Sequence, residues 1–337
     1  MSDLASVSSA GATARVLVAG AGGFIGGHLA LALLTDGHDV RAVDRKPLAQ
    51  WHQVHAGVEN IVGDLSDRVV AERVVDGCAH VYDLACDMGG MGFIENNQAL
   101  CMLSVLGTTN LLVAARDGGV ERLFFSSTAC VYPVGHQRDT AATPLRESDA
   151  YPADPEGGYG WVKLFSERMC RHFTEDFGLE TRVARYHNVY GPHGTWHGGR
   201  EKAPAALCRK VAESKRAGHR SIEVWGDGRQ TRSFQFIDDC IEGTRRLMES
   251  NLGDPVNIGS SELVSIEDLI CQVEEIAGIS VERRYNLAAP QGVRGRNSDN
   301  TLIRSALGWE PTTPLAEGLR ATYEWIEQQV LGSRVRA

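Results

Sequence analysis

Two short stretches carry side chains whose types and spacing suit proton transfer. In GYGWVK, Tyr159 and Lys163 stand four residues apart, and so share one face if the segment is helical. An ammonium near a phenol stabilises the phenolate, which lets a tyrosine take a proton closer to neutral pH. The second stretch, SSTACVYP at 126–133, follows an apolar run, Leu123 to Phe125. It offers Ser127, Thr128 and Cys130 at what reads as the end of a buried strand. Cys130 has two readings, a small core hydrophobe or a base acting as the thiolate. The second needs a cation nearby, because a free thiol titrates at about 8.5.

These groups need a scaffold, and the pattern of the chain supplies one. The residues at 14–20, ARVLVAG, read as a buried strand, followed by Gly20, Gly22, Gly23 and Gly26 at the start of an apolar helix that Gly37 ends. With Phe24 and Ile25 between the last two glycines, this spacing suits a backbone turn that approaches a pyrophosphate at a helix N-terminus. A second strand, 39–45, ends in Asp44, close to the distance expected for an acid that accepts from an adenosine ribose. That favours NAD over a cofactor bearing a 2′-phosphate. Asp64 and Leu65 are placed either at the adenine edge or in a turn. Further strands are expected at 59–65, 80–86 and 122–127, with a sixth strand and a loop at 180–192. Helices are expected at 67–75, 93–117 and 159–177. Strands alternating with helices predict an α/β fold, a doubly wound parallel sheet of Rossmann type. Residues 1–14 read as a loose tail, 15–190 as the dinucleotide-binding domain with the Tyr/Lys helix, and 191–337 as a smaller substrate-binding region with segments returning to the sheet.

Bulk properties exclude some classes. The chain has 337 residues, 43% hydrophobic and 23% charged, with a net charge of -9. This is no nucleic-acid footprint. Eight scattered cysteines without a CxxC pair fit a reduced, cytoplasmic protein, with Cys86 and Cys101 as core residues. No apolar run reads as long enough to span a bilayer. The histidines lack metal-ligand spacing, so no metal is expected.

Taken together, the glycine loop, the Ser/Thr strand end and the Tyr/Lys pair resemble the extended short-chain dehydrogenase/reductase superfamily, over essentially the whole chain after residue 14. The resemblance implies hydride transfer to bound NAD. Thr128, rather than Ser127, would hydrogen-bond the reacting oxygen, Tyr159 would take its proton, and Lys163 would tune Tyr159 and hold the nicotinamide ribose. Dehydratases of the superfamily carry an Asp-Glu pair after the threonine, and here Ala129 and Cys130 stand there.

A narrower resemblance rests on DMGGMGFI (87–94), ACVYP (129–133), YHNVYGPHGTWHGGREKAPAA (186–206), WGDGRQTRSFQFIDDC (225–240) and GVRGRNSDN (292–300). These segments resemble the GDP-mannose 3,5-epimerase family. That likeness implies Cys130 and Lys202 as an acid/base pair, and GDP-L-galactose or the 5-epimer GDP-L-gulose as product. It implies substrate contacts from Asn188, Lys202, Lys210, Arg232, Arg294 and Arg296, with Arg296 preferred to Arg294. Gly89 and Gly90 would let backbone approach the sugar. The basic stretch 215–220 is expected near the nucleotide end. A homodimer through helices 93–117 and 159–177 is expected. The alternatives are a 4-epimerase of another nucleotide sugar and a non-catalytic NAD-sensing regulator.

Overall fold

The computed structural model describes residues 14–218 and 221–332. Most of the expected tail and two residues of the basic stretch, His219 and Arg220, lie outside them. Six strands run through the first half: β1 (Arg15–Ala19), β2 (Asp39–Asp44), β3 (Glu59–Val62), β4 (His80–Asp83), β5 (Arg122–Thr128) and β6 (Glu180–Tyr186). Between them lie α1 (Phe24–Thr35), α2 (Arg68–Val75), α3 (Met91–Asn96), α4 (Gln98–Met102), α5 (Ser104–Asp117) and α6 (Gly157–Phe177). The second half adds β7 (Val189–Tyr190), α7 (Ala203–Ala217), β8 (Ser221–Trp225), β9 (Thr231–Ser233), β10 (Gln235–Phe236) and α8 (Ile237–Glu249). It continues with β11 (Val256–Ile258), β12 (Leu263–Ser265), α9 (Ile266–Ala277), β13 (Glu282–Asn286), β14 (Gly295–Arg296), α10 (Thr301–Leu307) and α11 (Leu315–Gly332).

The main sheet is parallel, in the order β11-β6-β5-β4-β1-β2-β3. Strands such as RVLVA and RLFFSST are buried along nearly their whole length, because helices cover both faces. One apolar core lies between the sheet and α1 and α8, another between the sheet and α2, α5 and α6. A third, separate core gathers α7, α9 and α11 around β8. Strand order reverses between β1 and β4, which opens a crevice at the carboxyl ends of the strands. Asp44, Asp83 and Thr128 all stand on that edge.

The helix expected at 93–117 is three pieces. Asn97 leaves helical geometry at φ -136°, and its Nδ2 donates back to the Phe93 carbonyl at 2.9 Å. Such side-chain bonds compete with the helix ladder. The stretch Gln98–Asp117 is, by length and a mean hydropathy of 1.5, apolar enough to cross a bilayer, which the sequence reading did not anticipate. It is interrupted at Leu103 and packs against α2 and α6.

Candidate functional site

The turn from β1 into α1 is built for close backbone approach. Gly20 sits at φ +81°, and a Cβ there would lie 2.8 Å from the Ala85 nitrogen. A Cβ on Gly26 would fall on the Gly20 carbonyl oxygen. Gly23 is the N-cap and offers no side-chain cap, so the first N–H groups of α1 receive no bond from it. Phe24 packs near Gly191 and Gly194, and Ile25 leans on the core. Asp44 closes β2, and its Oδ1 accepts from the Lys46 N–H at 3.0 Å. Lys46 Nζ donates to the Gly22 carbonyl at 2.7 Å. The loop, its uncapped helix and the adjacent acid fit the pyrophosphate and ribose of a dinucleotide. Asp64 is a turn residue whose carboxylate accepts from the Ser66 N–H at 2.9 Å; that bond holds it below the usual carboxylate range. The Leu65 side chain is buried in the core beside α2 and α5.

At the end of β5, alternation of the strand separates the two hydroxyls. Ser127 turns inward and donates to the buried Glu167 carboxylate, which is also paired with Arg185. Thr128 faces the crevice, where its hydroxyl accepts from the Cys130 N–H at 3.2 Å and hydrogen-bonds Tyr159. Burial, then the nearby thiols Cys86 and Cys130, push the Tyr159 phenol well above its ordinary value, with Thr128 pulling the other way. Lys163 donates from its ammonium to the Ser126 carbonyl at 2.7 Å and stands 4.6 Å over the Phe125 ring. Lys163 also offsets the upward push that burial exerts on Asp83.

Cys130 lies in a single 3₁₀ turn after Thr128, 8% exposed. The cation it needs is Arg296, whose Nη1 donates to the sulfur at 3.4 Å. Arg296 is expected to meet the substrate. Its guanidinium also holds two further partners, with Nε on Gln137 Oε1 at 2.5 Å and Nη2 on Glu156 Oε2 at 2.6 Å. Lys202 is the partly buried N-cap residue of α7. Burial lowers its ammonium below the ordinary lysine range, and attraction to Cys130 is the largest opposing influence. The site thus joins a thiol, an amine and a hydroxyl pair around one space.

Gly90 makes room for neighbouring backbone. A Cβ there would lie 2.5 Å from the Glu201 carbonyl oxygen, and the Gly90 N–H donates to the Arg200 carbonyl at 3.0 Å. The missing side chain thus admits the strap that carries Lys202. The space at Gly89 is bounded by the Phe93 side chain. The strap is held further by Arg200, 3.8 Å over the Phe93 ring and 3.6 Å from Asp87.

The remaining expected residues divide by whether they are already partnered. Arg294 forms a two-pronged pair with Asp227 at 3.0 and 3.1 Å. Asn188, at φ +41°, donates to the Ser233 carbonyl. Lys210 donates to the Glu223 carbonyl at 2.6 Å beside Trp225. Among the described residues, the hydrogen bonds of Arg232 go to the carbonyls of Thr231, Gln291 and Val293. Burial and the charge of Arg296 press it down to about 10, with Glu156 pulling the other way. No carboxylate among the described residues is in ion-pair contact with it, so it can still take an anion. Lys215 pairs with Glu327 and Arg216 with the Val330 carbonyl, so the basic stretch binds α11. Along α7 it stands about 20 Å from Lys202.

A profile of the NAD dependent epimerase/dehydratase family matches residues 16–259. The chain belongs to that family. Over 321 residues it is 48% identical to GDP-mannose 3,5-epimerase 1 of Oryza sativa subsp. japonica, covering 94% of this chain and 82% of that protein. With GDP-mannose 3,5-epimerase of Arabidopsis thaliana the identity is 46%, covering 94% and 83%. Among solved structures, UDP-glucuronic acid 4-epimerase from Bacillus cereus, in complex with UDP-glucuronic acid and NAD, has a TM-score of 0.81 at 27% identity, covering 94% of this chain and 99% of that one.

Within this epimerase fold, the sequence motifs do not single out Glu156, Gln137, Asp83 or Lys46. Glu156 had a weak signal, an acid directly before the Tyr/Lys helix where a carboxylate suits the helix dipole. Asp83 closes a strand on the crevice edge, as Asp44 does. Gln137 carries no signal in sequence.

Proposed function

We infer that this protein is an NAD-dependent GDP-mannose 3,5-epimerase. The observation that carries the reading is that Cys130 and Lys202 lie near enough to influence each other electrostatically, in the site of Thr128 and Tyr159, in a chain nearly half identical to proteins of that name. NAD, bound at the glycine loop, supplies a hydride acceptor and donor at C4, so the sugar carries a ketone there for part of each turnover. Tyr159 takes the C4 hydroxyl proton and returns it, with Thr128 holding the same oxygen. A ketone at C4 acidifies the hydrogens at C3 and C5. Cys130 and Lys202, on opposite sides of the sugar, remove a proton from one face and deliver one to the other. Burial of Lys202 helps, since a depressed ammonium gives up its proton more readily near neutral pH. The diphosphate is met by Arg232, with Asn188 and Lys210 toward the nucleoside. A 4-epimerase, the activity named for the solved relatives, needs no carbon acid and gives Cys130 and Lys202 no task.

The experiment is incubation with GDP-mannose in deuterated water. Deuterium is expected at C5, and at C3 where GDP-L-galactose rather than GDP-L-gulose forms. Cys130→Ala should abolish it. Substrate consumed with no label at either carbon would refute the carbon-acid mechanism.

Two further features belong to this reading. Met102, Leu103 and Leu106 are exposed on α4, α5 and the residue between them, and Trp161 and Phe165 on the adjacent α6. An apolar patch of this kind supports a homodimer through these helices. Leu106→Glu with Phe165→Glu should halve the mass by light scattering, and an unchanged mass would remove the assignment. The free thiols, Cys271 exposed among them, support a reducing, cytoplasmic location. A tagged protein recovered from an oxidising compartment would contradict it.

A further inference from the structure

Glu156 has no place in the reaction as written, yet it grips the group that grips the thiol. We propose that Glu156 is a positioning residue for proton transfer at Cys130, acting through Arg296; the proposal rests on the acid/base reading of Cys130. A guanidinium presents its N–H groups in a rigid planar fork, so two anchored contacts determine where the third points. Gln137 anchors Nε, and is itself fixed, 1% exposed, by donating to the carbonyls of Tyr132 at 3.1 Å and Pro133 at 3.2 Å. Glu156 anchors Nη2. The remaining Nη1 is left on the sulfur.

Charge makes the carboxylate necessary as well as convenient. β14 pairs with β9 so that Arg296 stands opposite Arg232, and the two cations press on each other. Among the described residues, Glu156 is the carboxylate in ion-pair contact with Arg296. Burial works to raise the Glu156 carboxyl, but Arg296 and then Arg232 outweigh it and hold the group below its usual range. It is therefore an anion at neutral pH. Glu156 is also the N-cap residue of α6, and its N–H donates to the Cys130 carbonyl at 3.0 Å. One residue so ties together the thiol's backbone, the thiol's cation and the helix bearing Tyr159. Thr128 meets Cys130 through the backbone N–H and otherwise acts on Tyr159, and Lys163 donates to the Ser126 carbonyl, so the hydrogen bonds of neither go to the Glu156 side chain. Loss of the Glu156 charge should therefore slow the carbon–proton step and spare the hydride step.

The test is Glu156→Gln, which keeps the shape and removes the charge. Deuterium incorporation at C5 of GDP-mannose should fall about 10²-fold, the scale for a reacting group displaced by 1 Å. NAD content and the absorbance of reduced nicotinamide on adding GDP-mannose should match the wild type. Combining Glu156→Gln with Arg296→Lys should be no worse than Arg296→Lys alone, because both act on one contact. Wild-type exchange in Glu156→Gln overturns the proposal. So does an equal loss of exchange and nicotinamide reduction, which would make Glu156 a mere helix cap. Cys130→Ala separates this from the underlying reading: exchange surviving there removes the acid/base assignment itself. Exchange lost there but retained in Glu156→Gln removes only the role of Glu156.

Discussion

Replacing Gly90 with alanine isolates the strap that carries Lys202. Gly90 has φ -67° and ψ 175°, a conformation alanine adopts freely, so the perturbation is purely steric. The new methyl would stand 2.5 Å from the Glu201 carbonyl oxygen, and ordinary contact requires a retreat of roughly 1 Å. The strap cannot absorb this locally. Arg200 is pinned by Phe93 and Asp87, and Glu201 by Arg209 at 3.1 Å. Lys202 follows directly as the N-cap of α7, its carbonyl held by the Ala206 N–H at 2.9 Å. A backbone shift of that size moves the amine. It also stretches the Gly90–Arg200 hydrogen bond, worth about 1 kcal/mol, which lowers the melting temperature by roughly 1–2 °C in a protein of this size. Catalysis should suffer far more, by about 10²-fold. The assay is deuterium incorporation at C5 of GDP-mannose by NMR, beside a melting curve and the NAD content of the purified variant. Wild-type exchange in Gly90→Ala would refute the reasoning. So would a collapse in melting temperature matching the loss of activity.

Other perturbations probe different parts of the site. Arg232→Met removes a partly buried cation whose hydrogen bonds among the described residues go to carbonyls; stability should stay within about 1 kcal/mol of the wild type, since the cost of desolvating that charge offsets what its contacts and Glu156 return. The KM for GDP-mannose should rise about 10–100-fold, the worth of a hydrogen bond between charged groups, and an unchanged KM would take the diphosphate away from this residue. His187 is fully buried, shares a hydrogen bond with Asn257 at 3.1 Å, and is pushed down to about 3, by burial first. Between its ordinary value of 6.5 and that point, the unfolded chain holds a proton the folded one excludes. Stability from this group is full above pH 6.5 and drains away as pH falls toward 3. His187→Gln should flatten the acid limb by up to about 1.4 kcal/mol per pH unit; denaturation curves of the two proteins with the same slope against pH would dismiss the effect.

Residues whose chemistry depends on local spacing were legible in the sequence. Gly20 and Gly26 answer to the shape of one turn, and Tyr159 and Lys163 to one helix. The alternation of β5 alone divides Ser127 from Thr128, though which faces the crevice is decided by Glu167 and Arg185 on a distant helix and strand. What escaped the sequence is long-range pairing. Nothing in GVRGRNSDN says that Arg294 will be spent on Asp227 while Arg296 reaches Cys130, 166 positions earlier. The reach follows from β14 lying against β9, a three-stranded ribbon too short to leave a periodic signal. The break at Asn97 was hidden for a related reason: the apolar pattern of 93–117 reports a face to be covered, and is indifferent to a single side chain that captures the Phe93 carbonyl. Gly90 is the sharpest case. In sequence a glycine beside the site reads as room for a ligand, because the ligand is the only neighbour that sequence brings to mind. In the fold a further neighbour is the Glu201 carbonyl, so the same absence of a side chain also sets the position of the strap that leads into Lys202.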